Sequence, residues 1–116
     1  MGVFRAALKK GRAEEDRWTS LVEAYRKTFP DQAGELDLWM KGDLPEGWER
    51  DIPEFPPDPK GMATRAASGR VLNALAKRIK NLIGGSADLA PSNQTLIQGE
   101  GDFQSERFGN RNLRFG

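Results

Sequence analysis

The sequence predicts an α/β fold that is cut short, mostly helical with one short buried strand and long loops. Three observations carry this expectation. Apolar residues recur at helical spacing across the first forty or so positions and again over 64–80. The run Leu82-Ile83-Gly84-Gly85 is continuous and lacks the alternation of a half-exposed antiparallel strand, which points to a parallel sheet. A parallel sheet needs further strands and crossover helices, and none follow before Gly116. A lone buried strand leaves backbone groups unpaired at roughly 1–3 kcal/mol each, so the chain reads as part of a larger unit.

The elements follow in order. Val3 to Lys10 predicts a short helix ending at Gly11, where a left-handed cap suits glycine. Trp18, Leu21, Val22, Tyr25 and Phe29 form one apolar stripe, expected to be core rather than a binding surface. Glu14, Glu15 and Asp16 stand at the start of that helix and Arg26 and Lys27 near its end, an order that complements the helix dipole, and Pro30 is expected to stop it. A second helix fits Asp31 to Lys41, with Leu36, Trp39 and Met40 as its apolar face and Gly42 as its stop; Pro45 opens a further turn through Trp48.

Pro53, Pro56, Pro57 and Pro59 then exclude helix and favour an extended strap. Glu54 and Asp58 interrupt any SH3-type ligand pattern, so residues 53–61 read as a linker. The organisation predicted is a helical part over 1–52, the linker, and an incomplete second part over 62–116. In that part Thr64 caps a helix to about Lys80 whose buried face is Val71, Leu72, Leu75 and Ile79. A strand over Leu82–Asp88 runs into turn chemistry at Pro91-Ser92-Asn93. From Gly99 on a loop is expected, until Leu113-Arg114-Phe115-Gly116 approaches another strand.

Composition excludes several functions. With no Cys and no His, the chain has no disulfide, thiol nucleophile, zinc cluster or histidine acid–base catalyst. Eighteen basic residues nearly cancel seventeen acidic ones, so net charge gives no argument for nucleic acid or an anionic membrane. The arginines of Arg107 to Arg114 lack the repeating unit of RNA-binding RGG tracts. No apolar run approaches membrane-spanning length and the N-terminus lacks a signal-peptide pattern, so a soluble cytoplasmic protein is expected, with no nucleic acid or membrane among its partners.

Arg65 and Ser92 are the candidate binding residues. If the strand runs back along the preceding helix, its end returns beside the helix start, and Arg65 in the first turn meets Ser92 in the turn after the strand. A helix N-terminus, a guanidinium fork and a hydroxyl make an anion site. The same spacing is equally served by a solvated Arg65 and a Ser92 that only stabilises its turn. Asp88, at the expected strand end, either faces a cofactor or second subunit or closes an Asx turn.

Several segments resemble one family. Residues 84–93, GGSADLAPSN, look like the signature of transketolases. Ala63-Thr64-Arg65-Ala66-Ala67-Ser68 is similar to the family's ATRKAS helix start, and Gly42 to Trp48 resembles its GELPEGW segment. Gly101-Asp102-Phe103-Gln104 and Arg111 to Gly116 resemble GDFQ and RNLRFG, and Trp18 to Pro30 fits the helix that closes the first domain. The resemblance implies a thiamine diphosphate enzyme of the pentose phosphate pathway that needs Mg²⁺ or Ca²⁺ and works as a homodimer. It moves a two-carbon ketol unit from a ketose phosphate to an aldose phosphate. Residues 1–52 would close the pyrophosphate-binding domain and 62–116 would open the pyrimidine-binding domain. Arg65 and Ser92 would bind substrate phosphate, and Asp88 would lie near the cofactor and dimer interface. The glutamate that activates the cofactor, in the VRE that follows RFG, the metal motif and the active-site histidines have no counterpart here. No catalytic or metal residue is therefore assigned to this chain, and it is expected to be inactive alone, with the remainder of the enzyme and a second subunit as partners. The alternative is a non-catalytic remnant that binds a partner.

Overall fold

The computed structural model describes residues 2–115, with side chains from residue 5 onward; Met1 and Gly116 lie outside the described residues. The chain divides into two units, one up to Asp43 and one from Leu44.

The first unit is helical. Helix α1 spans Gly2–Thr28 without a break, so the expected stop at Gly11 does not occur. Glycine inside a helix costs only about 1 kcal/mol relative to alanine, and Arg12, Ala13, Glu14 and Glu15 are helix formers that carry the helix through. A single residue, Phe29, separates α1 from α2 (Pro30–Lys41). Pro30 therefore opens the second helix: its missing N–H falls where no helical partner exists anyway. At the other end Gly42 is left-handed (φ 77°). Its N–H donates to Trp39 O (3.1 Å) and that of Asp43 to Leu38 O (3.1 Å), which is a Schellman motif.

Arg26 grips Asp37 of α2 through two nitrogens, at 2.6 and 3.3 Å. Ala33 is buried, and the Tyr25 and Phe29 rings lie 5.3 Å apart. The apolar stripe of α1 was expected to be core, but Trp18 and Leu21 are 60% and 56% exposed, with Tyr25 and Phe29 also open. Twelve residues of α2 make a rod of about 18 Å, as long as the stripe itself, but the only apolar residue that α2 buries is the small Ala33, so the large side chains of α1 stay open among the described residues.

The second unit starts with turns. Trp48 N–H donates to Pro45 O and Arg50 N–H to Gly47 O, and the prolines of 53–61 run exposed except for half-buried Pro53. Asp51 is tied to Arg78 at 2.7 Å, and the hydrogen bond from Arg78 holds its carboxyl below the usual range. Helix α3 spans Thr64–Ala76, shorter than expected, and its cap position is Ala63 rather than Thr64. The helix loosens into turns after Ala76, where Arg111 takes its last carbonyls. Val71, Leu72, Leu75 and Ile79 are only half-buried; the buried α3 positions are the small residues Gly69, Ala74 and Ala76.

Strand β1 (Gly84–Ala87) is shorter than the predicted 82–88 and half-buried rather than buried. It is also not alone. After the one-turn helix α4 (Ala90–Asn93), strand β2 (Asn112–Phe115) pairs with it in parallel, Gly84 opposite Asn112 and Ala87 opposite Phe115. A Cβ at position 85 would collide with the backbone carbonyl of Leu113, so only glycine permits this strand spacing. Between Gln104 and Arg107 the chain reverses in a turn whose third residue, Glu106, is left-handed (φ 63°), beneath an edge-on Phe103–Phe108 pair at 5.8 Å.

The interior of this unit joins a few small apolar residues to a polar network. Ala74, Ala76, Ala90 and Ile97 are buried, and so is Asn112. Asn112 Oδ1 accepts from Ile97 N–H (2.8 Å), and its Nδ2 donates to the carbonyls of Ile97 (3.1 Å) and Glu100 (2.9 Å). From α3, Asn73 Nδ2 donates to Leu96 O (3.0 Å) and Oδ1 accepts from Gln98 N–H (2.7 Å). Arg111 donates to the carbonyls of Ala76 (3.0 Å) and Ile79 (3.1 Å) and pairs with Glu100 at 2.8 Å, a positive charge at the negative end of α3.

Two outcomes test this account. Asn112→Ala strands buried N–H and C=O groups, and should lower unfolding free energy by about 2–3 kcal/mol in a urea titration; a change within experimental error would remove Asn112 from the interior framework. In the first unit, the hydrogen bond from Arg26 holds the Asp37 carboxyl below the usual range. A depressed folded pKa stabilises above the ordinary carboxylate range and is lost as pH falls through it. Helicity followed by circular dichroism should drop on acidification, and the part due to this pair should be missing in Asp37→Asn; identical acid curves would mean the pair contributes nothing.

Candidate functional site

Helix α3 begins without help. Ala63 offers no side-chain cap, and no acid occupies the first turn. The first N–H groups of the helix lack intrahelical acceptors, and the positive end of the dipole is left uncompensated. Arg65 sits there, exposed, and makes no hydrogen bond or ion pair among the described residues.

Residues four apart share a helix face, so Arg65, Gly69 and Asn73 lie along one ridge of α3. Two of the three touch the segment that follows α4. At buried Gly69, an added Cβ would stand 2.9 Å from both the Cβ and the carbonyl oxygen of Gln94. One turn on, Asn73 holds Leu96 and Gln98. The chain after α4 thus tracks the ridge in register, with Gln94 at Gly69 and residues 96–98 at Asn73.

The path of β1 explains how the chain gets there. Gly84 N–H donates to Arg111 O (3.2 Å), and Arg111 also caps the C-terminal end of α3. Strand β1 therefore starts at that end and leads toward α4, whose C-terminal neighbour Gln94 packs on Gly69. The strand runs back along the helix, as a short connection requires.

Ser92 lies inside α4 rather than in an irregular turn, and is exposed. It precedes Gln94 by two residues, while Arg65 precedes Gly69 by one turn. The next residue, Asn93, donates to Ser86 Oγ at 3.1 Å and so fastens α4 to β1. Asp88 is exposed and left-handed (φ 56°), a conformation that costs a non-glycine residue roughly 1–2 kcal/mol. The expected Asx turn is absent; the backbone itself closes a three-residue turn, with Leu89 N–H donating to Ala87 O at 2.7 Å. That leaves the Asp88 carboxylate without a partner among the described residues.

A cavity of about 920 Å³ opens between α3 and residues 94–100, lined by Arg70, Asn73, Gln94, Gln98 and Arg111 among others. Neither Arg65 nor Ser92 lines it. Among the described residues no cluster of three or more acid, His or Cys side chains is placed to hold a metal ion, and no helix is long and apolar enough to cross a membrane. Gly69, Asn73 and Gln94 carry no motif in the sequence, and Arg111 and Asn112 stand in the RNLRFG segment without a role that the sequence assigns. The one local signal was an asparagine in mid-helix, a weak helix former that needs a reason to be there.

Comparison with known proteins gives this geometry a family. Residues 60–116 match the family model described as transketolase, pyrimidine binding domain. A transketolase from Leishmania mexicana superposes with a TM-score of 0.87 at 38% identity, over 99% of this chain and 17% of that one. A Pichia stipitis transketolase solved with sedoheptulose-7-phosphate gives 0.83 at 34% identity, over 93% of this chain and 17% of that one. Among curated sequences, the transketolase of Halalkalibacterium halodurans is 44% identical over 113 residues, 97% of this chain and 17% of its own length. The chloroplastic transketolase-1 of Arabidopsis thaliana is 47% identical over 107 residues, 92% and 14% respectively. Residues 60–116 are thus similar to part of an α/β pyrimidine-binding domain. The chain as a whole belongs to the transketolase family, of which it spans about one sixth of the length of these relatives. The family implies thiamine diphosphate.

One consequence of the site geometry is testable. Asp88→Gly relieves the left-handed strain and should raise stability by about 0.5–1 kcal/mol, read from the urea midpoint. A loss of stability would mean that the aspartate side chain holds its own turn after all.

Proposed function

We propose that this chain is the part of a thiamine diphosphate-dependent transketolase that recognises the phosphate of its sugar substrates. The observation that carries the proposal is the guanidinium of Arg65, unpaired among the described residues. It stands at an uncapped helix start, on the ridge that packs against the residues just after Ser92. Arg65 supplies a planar fork for two phosphate oxygens, Ser92 a hydroxyl, and the first N–H groups of α3 the dipole end. Binding the phosphate there orients the sugar for transfer of a two-carbon unit from a ketose phosphate to an aldose phosphate.

Thiamine diphosphate, when bound, supplies the carrier of that unit. Asp88, just after β1 and without a partner among the described residues, would serve as an acceptor toward it. The described residues offer no acid cluster for Mg²⁺ or Ca²⁺, so no metal ligand is assigned to them. Within the proposal, residues 1–52 close a pyrophosphate-binding domain, 53–61 link, and 62–116 open the pyrimidine-binding domain. The remaining sequence of the enzyme and a second subunit are the partners, the cytoplasm the compartment and the pentose phosphate pathway the setting. The exposed stripe of Trp18, Leu21, Tyr25 and Phe29 supports a missing partner surface, and it equally favours the reading of a non-catalytic partner-binding fragment.

Titration of the chain with inorganic phosphate, followed by amide shifts at the start of α3, separates the readings. Arg65→Ala should weaken binding about tenfold and Ser92→Ala about threefold, as loss of charged and neutral hydrogen bonds predicts. Equal titrations of Arg65→Ala and the parent chain would overturn the phosphate assignment.

A further inference from the structure

We propose that Gly69 and Gln94 are positioning residues, whose close contact sets the spacing between Arg65 and Ser92. The inference rests on the phosphate-recognition reading and adds the residues that hold its two arms in place. Gly69 is buried, and any larger residue must displace both the Cβ and the carbonyl oxygen of Gln94, each 2.9 Å from where a new Cβ would stand. The carbonyl is not free to yield. Gln94 is fixed in a left-handed conformation (φ 55°) by its own N–H, which donates to Ala90 O and closes α4.

The contact is held from both sides. Beyond it, Asn73 ties Leu96 and Gln98 to α3, which stops the segment from sliding along the ridge. Before it, Asn93 ties α4 to Ser86 of β1. The Gly69–Gln94 approach is therefore the fixed point nearest to both candidate residues: one helical turn, about 6 Å, from Arg65 and two residues from Ser92. Hydrogen bonds weaken steeply with distance and angle, so a shift of a few tenths of an ångström at this point reaches a phosphate gripped from both elements.

The test is a phosphate titration of Gly69→Ala in the parent and in the Arg65→Ala background, with urea midpoints measured alongside. Gly69→Ala should weaken binding about fivefold in the parent and less than about 1.5-fold when Arg65 is already absent, the non-additivity of residues acting on one site. A merely structural glycine would lower the urea midpoint equally in both backgrounds without that coupling. Gln94→Gly suits the left-handed backbone and so keeps the fold, yet removes the side chain that packs on Gly69; it should weaken binding about threefold, and it decides the question alone if Gly69→Ala does not fold. If Gly69→Ala and Gln94→Gly bind like the parent while Arg65→Ala is weaker, positioning is overturned and the phosphate site stands. If Arg65→Ala binds like the parent, the site itself fails, and the positioning role with it.

Discussion

The second unit depends on how the segment Leu96–Glu100 is held. It belongs to no helix or sheet, so its backbone groups must find partners one by one. Asn73 reaches it from α3, Asn112 from the start of β2, and the Arg111 guanidinium meets the Glu100 carboxylate. The buried apolar residues are three alanines and one isoleucine, and no large side chain among the described residues is fully buried. With so little apolar volume inside, the specificity of the arrangement comes from satisfied polar geometry. Such a network is stiff when complete and costly when broken.

Arg111 and Asn112 show how the same residues serve two levels. Through its side chain Arg111 closes the last turn of α3, and through its carbonyl it accepts from the first residue of β1. Asn112 fills the interior and is also the first rung of the parallel ladder. The start of β1 is thereby fixed against the end of α3. From there β1 leads to α4, and Gln94 just after α4 meets α3 at Gly69.

The first unit carries a different constraint. Its two helices are well terminated, by Phe29 between them and by the Gly42 motif, and the Arg26–Asp37 pair links them. What they do not do is cover the aromatic stripe of α1. The chain spans about one sixth of the length of its transketolase relatives, so a large share of the surface that such a fold presents to itself lies outside it.

The sequence by itself determined what depends on near neighbours. Helical periodicity located α1 to α3, Gly42 marked a helix end, the apolar-glycine run announced a parallel strand, and the ordered motifs named the family and put Arg65 and Ser92 forward. Only the tertiary structure decided the matters that turn on distant partners. The stripe from Trp18 to Phe29 has the pattern of a core, but periodicity cannot say whether a partner covers it. The small residues from Gly84 to Ala87 already point to close approach of another backbone, and Leu113 is that neighbour at Gly85; Gly69, by contrast, carries no such sign in the sequence and is required by Gln94, 25 positions away. A local pattern records which face of an element is apolar, whereas close backbone approach and buried hydrogen bonds exist only once the chain has returned on itself.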